Sequence, residues 1–266
     1  MSMTLTVPEV DKMNRGKELK NSVGFDLEQM QLAIDLFNTQ MEAPFKVRSG
    51  NEEEGWVFTP VIGLTSPISF AEPGSGKFVL KSHDDNKGAP LSPIYINLRK
   101  LPKKLYDQMA KAMKKTLDVM EFAAGKFDFI TGIPEAGLPI ARALSELTGI
   151  PFMEIFEKSV TSDGRQIVAK KMDIDLTGKR FLVIDDLITK MHTKKEAKDA
   201  CDELGIIIIF LVLVDREQGG VQELKKLGVD IIAIYKMTEL LKFYLDNEMI
   251  SESQYNTVIE YLKNNS

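Results

Sequence analysis

Hydrophobic residues follow two different periods along this chain of 266 residues. Residues 26–41 carry apolar side chains at helical spacing behind an acidic start, which predicts an amphipathic helix. Residues 42–98 are rich in Gly, Pro and Ser, and their apolar residues occur in short alternating runs. Those runs, which predict short strands and loops, lie around Trp56–Ile62, Phe78–Leu80 and Ile94–Leu98.

From about residue 102 onward, predicted strands and helices alternate. The predicted helices are 102–124, 138–148, 193–204, about 220–227, about 237–247 and 251–264. The predicted strands are 127–132, 151–156, 180–185, 206–214 and 229–234. Strands that alternate with helices of this length predict an α/β fold with an open, mostly parallel sheet between layers of helices. The polar residues 157–172, between two predicted strands, predict either a hairpin at the sheet edge or an active-site lid, and one segment can be both.

The composition narrows the class of protein. Hydrophobic residues make up 44% and charged residues 27%, which is typical of a soluble protein. The net charge of −5 supplies no broad basic surface, so we expect no nucleic-acid partner. The most apolar run, Ile206–Val214, is too short to span a bilayer, and the N-terminal residues lack the apolar core of a signal peptide, so we expect no membrane partner. The single cysteine, Cys201, indicates a small core residue and a reducing, cytoplasmic compartment.

Two classes of catalytic site find little support. The only histidines are His83 and His192, so a metal site built from His and Cys is nearly excluded. No G-x-S-x-G motif is present, which argues against a serine hydrolase of that kind.

Residues 181–193, FLVIDDLITKMHT, carry the strongest chemical signal. An apolar run ends in Asp185 and Asp186, and a short polar segment leads into a predicted helix. Acids at the carboxyl end of a buried parallel strand are typical of a phosphate-sugar site, because open α/β sheets bind ligands at that edge. Backbone N–H groups of the loop and the helix N-terminus can hold a phosphate, although the loop contains no glycine.

Four segments in order resemble the orotate phosphoribosyltransferases. They are SPIYINLR at 92–99, FDFITGIPEAGLPIARAL at 127–144, FLVIDDLIT at 181–189 and LVLVDREQGG at 211–220. The last is the most specific, since a D-R-E-Q-G-G run after an apolar strand is seldom met elsewhere. The resemblance covers roughly residues 75–247.

The resemblance implies the fold and the domain organisation. The fold would be that of a type I phosphoribosyltransferase, with an N-terminal hood or extension. Residues 1–70 would form the extension, with its amphipathic helix and short strands. Residues 71–247 would form the α/β domain with hood elements, and residues 248–266 a C-terminal helix.

The resemblance also implies the reaction. Ribose 5-phosphate would pass from 5-phosphoribosyl 1-diphosphate (PRPP) to orotate, giving orotidine 5-monophosphate and pyrophosphate in pyrimidine biosynthesis. Mg²⁺ would be held mainly by PRPP, with Asp185 and Asp186 as further ligands. Members of the family are homodimers that share active sites, so a homodimer is expected.

Each motif then has an implied role and a structural alternative. Asp185 and Asp186 would bind the ribose hydroxyls and stabilise a cation-like anomeric carbon; alternatively they cap the next loop or helix. Thr189 and Thr193 would bind the 5-phosphate, or cap the helix, or do both.

The pyrophosphate and base sites follow in the same way. Backbone amides around Ala136 and Gly137 would bind pyrophosphate, unless the segment is a plain turn between strand and helix. Arg216 would pair with the orotate carboxylate; alone it would more often be a surface arginine. Lys81 matches the base-site lysine of the family, but Lys46 or Arg48 competes for that match.

The chain departs from the family pattern at two loops. Where the family has glycines after the acids, this chain has Lys190, Met191 and His192, so Lys190 and His192 would contact the phosphate by charge or obstruct it. The catalytic loop lacks the histidine of the family, which leaves Lys158 and Arg165 to neutralise the leaving pyrophosphate, with two further lysines nearby.

These departures keep three functions open. One is the orotate enzyme. Another is a low-activity or inactive regulatory protein that binds PRPP or a nucleotide on the same fold. The last is a phosphoribosyltransferase for another base, such as uracil or a purine.

Overall fold

The chain divides into two units of contacting elements. The computed structural model describes residues 19–73, 78–80, 83, 87–120, 126–161 and 164–265. One unit joins Met1–Asn97 with Thr238–Tyr261, and the other joins Leu98–Met237 with Leu262–Ser266. We call them the terminal unit and the central unit.

The elements of both units follow in chain order. The helices are α1 (Leu27–Asn38), α2 (Lys103–Val119), α3 (Gly137–Thr148), α4 (His192–Glu203), α5 (Gly220–Lys226), α6 (Met237–Asp246) and α7 (Glu252–Asn264). The strands are β1 (Met41–Asn51), β2 (Gly55–Thr65), β3 (Ile68–Phe70), β4 (Ile94–Ile96), β5 (Phe129–Gly132), β6 (Phe156–Thr161), β7 (Gly164–Ala169), β8 (Arg180–Ile188), β9 (Ile207–Asp215) and β10 (Ile231–Lys236).

A parallel sheet in the order β10-β9-β8-β5 forms the centre of the central unit. Successive side chains of a strand point to opposite faces of a sheet, and both faces of β8 are buried. Phe181 and Val183 pack in a hydrophobic cluster with Ala197 and Cys201 of α4. Helices α2 and α3 pack on each other, and α3 also packs on β5 and β8. The predicted α/β fold is therefore confirmed, and β8 lies inside the sheet.

The structure corrects the predicted strand at 151–156. Only Phe152 forms a bridge, to Ile130 beside it. From Phe156 onward the chain pairs instead with β7 in an antiparallel hairpin. We call it the catalytic hairpin because it holds Lys158 and Arg165 of the catalytic loop that the resemblance implies. The hairpin prediction for the polar segment is thus confirmed. The predicted short strands of residues 42–98 include one long element, because β1 and β2 pair along their whole length of 11 residues each.

The terminal unit packs its helices through aromatic side chains. Asp26 caps α1 in a capping box with Gln29, which satisfies N–H groups that have no partner within the helix. Tyr244 of α6 is buried, and its hydroxyl group donates to the carbonyl oxygen of Ala33 at 2.8 Å. Phe25 and Phe243 pack with ring centroids 5.5 Å apart.

These contacts join the two ends of the chain. Residues 238–261 lie with residues 1–97 in one unit, whereas the predicted segments have boundaries at residues 70 and 247. A contact between α1 and α6 cannot be inferred from periodicity, since it joins residues more than 200 positions apart in the sequence. That residues 1–70 act as a separate extension remains a prediction.

Candidate active site

The two acids lie within β8 rather than beyond its end. The strand continues to Ile188, and its pairing with β9 extends from Asp185↔Val212 to Ile188↔Asp215. The predicted strand end at residue 185 is therefore wrong by three residues, because pairing with β9 holds the backbone extended beyond the apolar run. Asp185 and Asp186 still precede the turn into α4, so they remain near the carboxyl edge of the sheet.

The environments of the two carboxylates differ. Asp185 is 5% exposed, and its Oδ1 accepts from the backbone N–H of Asp186 at 2.9 Å. Its Oδ2 accepts from Nζ of Lys194 at 2.5 Å, which forms a buried ion pair. Asp186 is partly exposed, and its Oδ1 accepts from the N–H of Leu187 at 2.8 Å. Asp185 is thus held inside the protein, and Asp186 is the less buried acid of the pair.

The pKa of Asp186 also differs from that of an ordinary carboxyl group. Burial in the sheet, and next the negative charge of Asp185, raise the pKa of Asp186 to about 7. The positive charge of Lys194 opposes this shift but does not cancel it. A carboxyl group with a pKa this high changes charge near neutral pH, which is typical of functional sites.

Lys194 was missed by the sequence analysis. Its Nζ donates to Asp185 and, also at 2.5 Å, to the carbonyl oxygen of Leu187. Lys194 falls on the same helical face as Ala197 and Cys201, and all three are buried. The signal in the sequence is a lysine on the apolar face of an amphipathic helix. A buried ammonium group there requires a partner, so the pattern could have predicted that Lys194 binds a nearby acid.

Residues 189–193, which we call the phosphate loop after the role that the resemblance implies, comprise the turn between β8 and α4 and the first two residues of α4. The side chains of Lys190 and His192 are exposed, whereas Met191 packs against the hydrophobic cluster of the sheet. Met191 precedes α4, which receives no hydrogen bond from a capping side chain. The side chain of Met191 therefore leaves the N-terminus of α4 without a capping hydrogen bond. Each acid accepts from the backbone N–H of the next residue within β8, and the capping alternatives for the acids, Thr189 and Thr193 stay predictions.

The turn after β5, residues 133–136, packs directly against β8. We call it the pyrophosphate turn after the role that the resemblance implies. The N–H of Ile133 donates to the carbonyl oxygen of Ile184 at 2.9 Å. A Cβ atom on Gly137 would lie 2.3 Å from that same oxygen, so only glycine fits there. The N–H of Gly137 donates to Ile133 at 3.0 Å, which corrects its predicted role: this amide is used within the turn, and Gly137 serves the close packing. Ala136, the residue before α3, has a buried side chain.

The catalytic hairpin brings a cation to this turn. Nζ of Lys158 lies 3.4 Å from Oε1 of Glu135. Arg165 is exposed and stands on β7, opposite Val160. The hairpin is tied to α4, because the N–H of Ile167 donates to Oε2 of Glu196 at 3.0 Å. Neither Glu135 nor Glu196 was predicted, since each contact joins distant parts of the sequence.

The D-R-E-Q-G-G segment follows β9 at the same edge of the sheet. Arg216 is 7% exposed, so the surface-arginine alternative is wrong. Its backbone N–H donates to the carbonyl oxygen of Ile188 at 2.9 Å. Asp215 accepts from the N–H of Glu217 at 2.8 Å, and burial raises the pKa of Asp215 above its usual value. Glu217 has a φ of 57°, in the left-handed region. A Cβ atom on Gly220 would lie 2.6 Å from the carbonyl oxygen of Thr189, so this segment packs on the phosphate loop.

The remaining predicted residues are Lys81, its competitors Lys46 and Arg48, and Cys201. Lys81 falls outside the described residues. Arg48 lies in the terminal unit, stacked 4.2 Å from the ring centroid of Trp56, and it donates to the carbonyl oxygen of Ala89 at 2.6 Å. Lys46 of the same unit is bridged to Val79. Cys201 is buried in the core as predicted, and burial raises the pKa of its thiol to about 12.

The described part of the chain contains neither a cluster of metal-ligating side chains nor a helix that could span a membrane. No group of three or more His, Cys, Asp or Glu side chains there is placed to hold a metal ion. No helix there combines the length and the apolar character that crossing a membrane requires.

Comparison with known proteins identifies the fold and the family. A family model of the phosphoribosyl transferase domain matches residues 101–236. The orotate phosphoribosyltransferase of Sulfurisphaera tokodaii is 31% identical over 193 residues, which are 71% of this chain and 91% of that protein. The structure of Leishmania donovani UMP synthase is similar with a TM-score of 0.62 and 26% identity; the match covers 89% of this chain and 42% of that one. This chain therefore corresponds to less than half of that synthase.

The parallel sheet, the acids of β8 and the family match together define a type I phosphoribosyltransferase domain. Within that class the chain belongs to the orotate phosphoribosyltransferase family. It is accordingly a glycosyltransferase enzyme, and its function lies in pyrimidine biosynthesis.

Proposed function

We propose that the protein transfers ribose 5-phosphate from PRPP to orotate, giving orotidine 5-monophosphate and pyrophosphate. The observation that carries this proposal is the arrangement at one edge of the sheet. The backbone of Arg216 is hydrogen-bonded to Ile188, two residues after Asp186, so a base-binding segment adjoins a ribose-binding strand. A planar guanidinium group is well suited to the carboxylate of orotate.

Each part of PRPP has a proposed partner. Asp186 accepts hydrogen bonds from the ribose hydroxyls, while Asp185 supports it from inside the protein. The uncapped N-terminus of α4 binds the 5-phosphate, helped by the hydroxyls of Thr189 and Thr193. The exposed ammonium group of Lys190 adds positive charge there, and the exposed imidazole of His192 lies in the same segment.

The reaction breaks the bond between the anomeric carbon and the diphosphate oxygen, and it forms a bond from that carbon to a ring nitrogen of orotate. Positive charge develops at the anomeric carbon, where the ionised Asp186 stabilises it. Negative charge develops on the diphosphate, where Lys158, Arg165 and the backbone amide of Ala136 compensate it. These groups contribute by position and charge rather than by covalent chemistry.

Mg²⁺ fits this site as a partner of the substrate rather than of the protein. Lys194 and the N–H of Asp186 already bind both oxygens of Asp185. We therefore propose that PRPP supplies most ligands of the metal, with Asp186 as the nearest protein carboxylate. When bound, the metal would neutralise charge on the leaving diphosphate.

A homodimer in the cytoplasm is also part of the proposal. The free, buried thiol of Cys201 supports a reducing compartment. Light scattering at assay concentrations tests the dimer.

One observation favours the low-activity alternative. Glu135 neutralises part of the charge of Lys158, the cation that the catalytic hairpin brings to the pyrophosphate turn. If the ion pair between Lys158 and Glu135 persists throughout the reaction, the protein would bind PRPP and turn it over slowly.

The deciding measurement is turnover by the purified protein with PRPP, Mg²⁺ and orotate. We expect orotidine 5-monophosphate and pyrophosphate in equal amounts, and loss of both in an Asp185→Asn/Asp186→Asn control. Absence of turnover above that control would reject the orotate enzyme. Calorimetric binding of PRPP without turnover would then support the regulatory alternative, and turnover with uracil or a purine would indicate another base.

The activity should depend on pH through Asp186. The ionised carboxylate is the form that accepts hydrogen bonds and stabilises positive charge, and its pKa is about 7. We expect kcat/KM for PRPP to fall as the pH drops below about 7, approaching tenfold per pH unit. A profile of kcat/KM from pH 5 to 9 in constant ionic strength tests this. A flat profile between pH 5 and 7 would contradict it.

The catalytic hairpin should act on the departing diphosphate. Lys158→Ala/Arg165→Ala is expected to lower kcat by roughly 10- to 100-fold, because less positive charge compensates the leaving group. The KM for orotate should change little, since neither side chain belongs to the base site. Lys226→Ala, which removes an exposed lysine of α5, is the matched control and should behave as the wild type. Equal rates in all three proteins would exclude the hairpin from catalysis.

A further inference from the structure

Lys194 connects both sides of the phosphate loop. Its backbone belongs to α4, which follows the loop, and its ammonium group binds Asp185 and the carbonyl oxygen of Leu187, which precede it. The residue is 5% exposed, so these bonds are shielded from water. Hydrogen bonds from a charged donor are stronger than neutral ones, and shielding strengthens them further. A single side chain therefore links the strand residues before the loop to the helix after it.

Two further contacts hold the same loop. The carbonyl oxygen of Thr189 accepts from the N–H of Gly220 at 3.0 Å, and that of Met191 accepts from the N–H of Lys195 at 2.8 Å. Both bonds hold residues of the loop that follow the end of β8. The ammonium group of Lys194 instead joins α4 to β8 itself, at Asp185 and Leu187 on either side of Asp186.

This contact matters because of what the loop lacks. Residues 189–193 contain no glycine, so the loop cannot wrap a phosphate as closely as a glycine-rich turn. Phosphate binding then depends on keeping the uncapped N-terminus of α4 at a fixed distance from Asp186. The hydrogen bonds from Lys194 to Asp185 and to Leu187, which we call the clasp, join α4 to β8 and supply that fixed distance.

We propose that Lys194 is a positioning residue for phosphoribosyl transfer. Its ammonium group ties α4 to β8 and so holds the phosphate loop and Asp186 in the geometry that receives the ribose 5-phosphate part of PRPP. The role in catalysis rests on the proposed function, whereas the clasp itself does not. The competing explanation is that Lys194 only balances the buried charge of Asp185.

Two variants separate these explanations. Lys194→Met removes the ammonium group and leaves the charge of Asp185 buried. Asp185→Asn/Lys194→Met removes both charges, so it is expected to fold stably even where the single variant does not, while the bond to Leu187 remains absent. Lys195→Met is the matched control, because Lys195 is the next residue and pairs with Asp199 at the surface.

The first measurement is hydrogen exchange of residues 187–193 in the protein without substrate. Exchange should be about tenfold faster in the double variant than in the wild type and in Lys195→Met. The second is steady-state kinetics with PRPP, orotate and saturating Mg²⁺. The KM for PRPP should rise about tenfold in the double variant, and the KM for orotate should stay within about two-fold.

The outcomes are distinct. Wild-type exchange and a wild-type KM for PRPP in the double variant would overturn the proposal, since charge balance would then be the whole role. A wild-type protein without orotate turnover would reject the proposed function alone. In that case, faster exchange of the loop together with weaker calorimetric binding of ribose 5-phosphate by the double variant would still support the clasp, and unchanged values of both would refute it.

Discussion

Asp186→Asn is expected to lower kcat/KM for PRPP by roughly 100-fold or more at pH 8, because it removes the charge that stabilises the transition state. The same change should leave the fold intact or make it more stable. The pKa of Asp186 in the folded protein, about 7, lies above the usual value of 3.8. Folding therefore opposes ionisation of this group, and its ionised form destabilises the protein above pH 7.

The sign of the stability effect follows from proton binding. With a raised pKa, the folded protein holds the proton of Asp186 more tightly than the unfolded chain does. The contribution of this group to the free energy of unfolding is thus largest at low pH and is lost as the pH rises from about 4 to 7. Above pH 7, Asp186→Asn should raise the free energy of unfolding by up to roughly 4 kcal/mol, because the pKa rises from 3.8 to about 7 on folding.

Urea unfolding and steady-state kinetics on the same preparations test both effects. Asp199→Asn is the matched control, since Asp199 is an exposed acid of α4 in a surface pair with Lys195. Surface pairs of this kind contribute about 0–1 kcal/mol, so the control should change neither rate nor stability markedly. Near-wild-type kcat/KM in Asp186→Asn would remove this carboxylate from the mechanism.

Gly137→Ala is expected to lower the free energy of unfolding by about 3 kcal/mol, because the added Cβ has no space. It would lie 2.3 Å from the carbonyl oxygen of Ile184 and 3.2 Å from Cα of Asp185. Relief requires a shift of β8 or of the pyrophosphate turn, and either shift displaces the acid pair. Activity should therefore fall together with stability.

The comparison with Gly149→Ala isolates the steric cause. Gly149 ends the same helix with a φ of 74°, and no atom lies within 4 Å of the position of its Cβ. Its replacement should cost only about 1 kcal/mol, from backbone conformation. Thermal unfolding of both variants measures the difference. Equal losses at the two positions would contradict the close packing of the turn against β8.

Much of the fold could be predicted, because periodicity is a local property. The helices of the central unit and the buried strands β8 and β9 follow directly from apolar residues at helical spacing or in short runs. The predictions failed where pairing partners decided the outcome. Residues 153–155 form no strand although Met153 and Ile155 are apolar, and β8 continues through two acids because β9 holds it extended.

The candidate site divides in the same way. The acid pair, Arg216 and the glycines of D-R-E-Q-G-G could be found from residue type and spacing alone. Their environments could not. Nothing in the spacing distinguishes Asp185, which is buried and paired with Lys194, from Asp186, which is less buried. Nor does it show that Glu196 holds the catalytic hairpin or that Glu135 binds Lys158.

The amino-acid sequence by itself determined the class of fold, the family and the identity of the chemical groups, since these depend on residue type and local order. Only the tertiary structure decided which acid is exposed, which lysine closes the phosphate loop and which glycine permits close packing. The physical reason is that burial, ion pairing and steric fit depend on neighbours in space, and those neighbours come from separate parts of the chain.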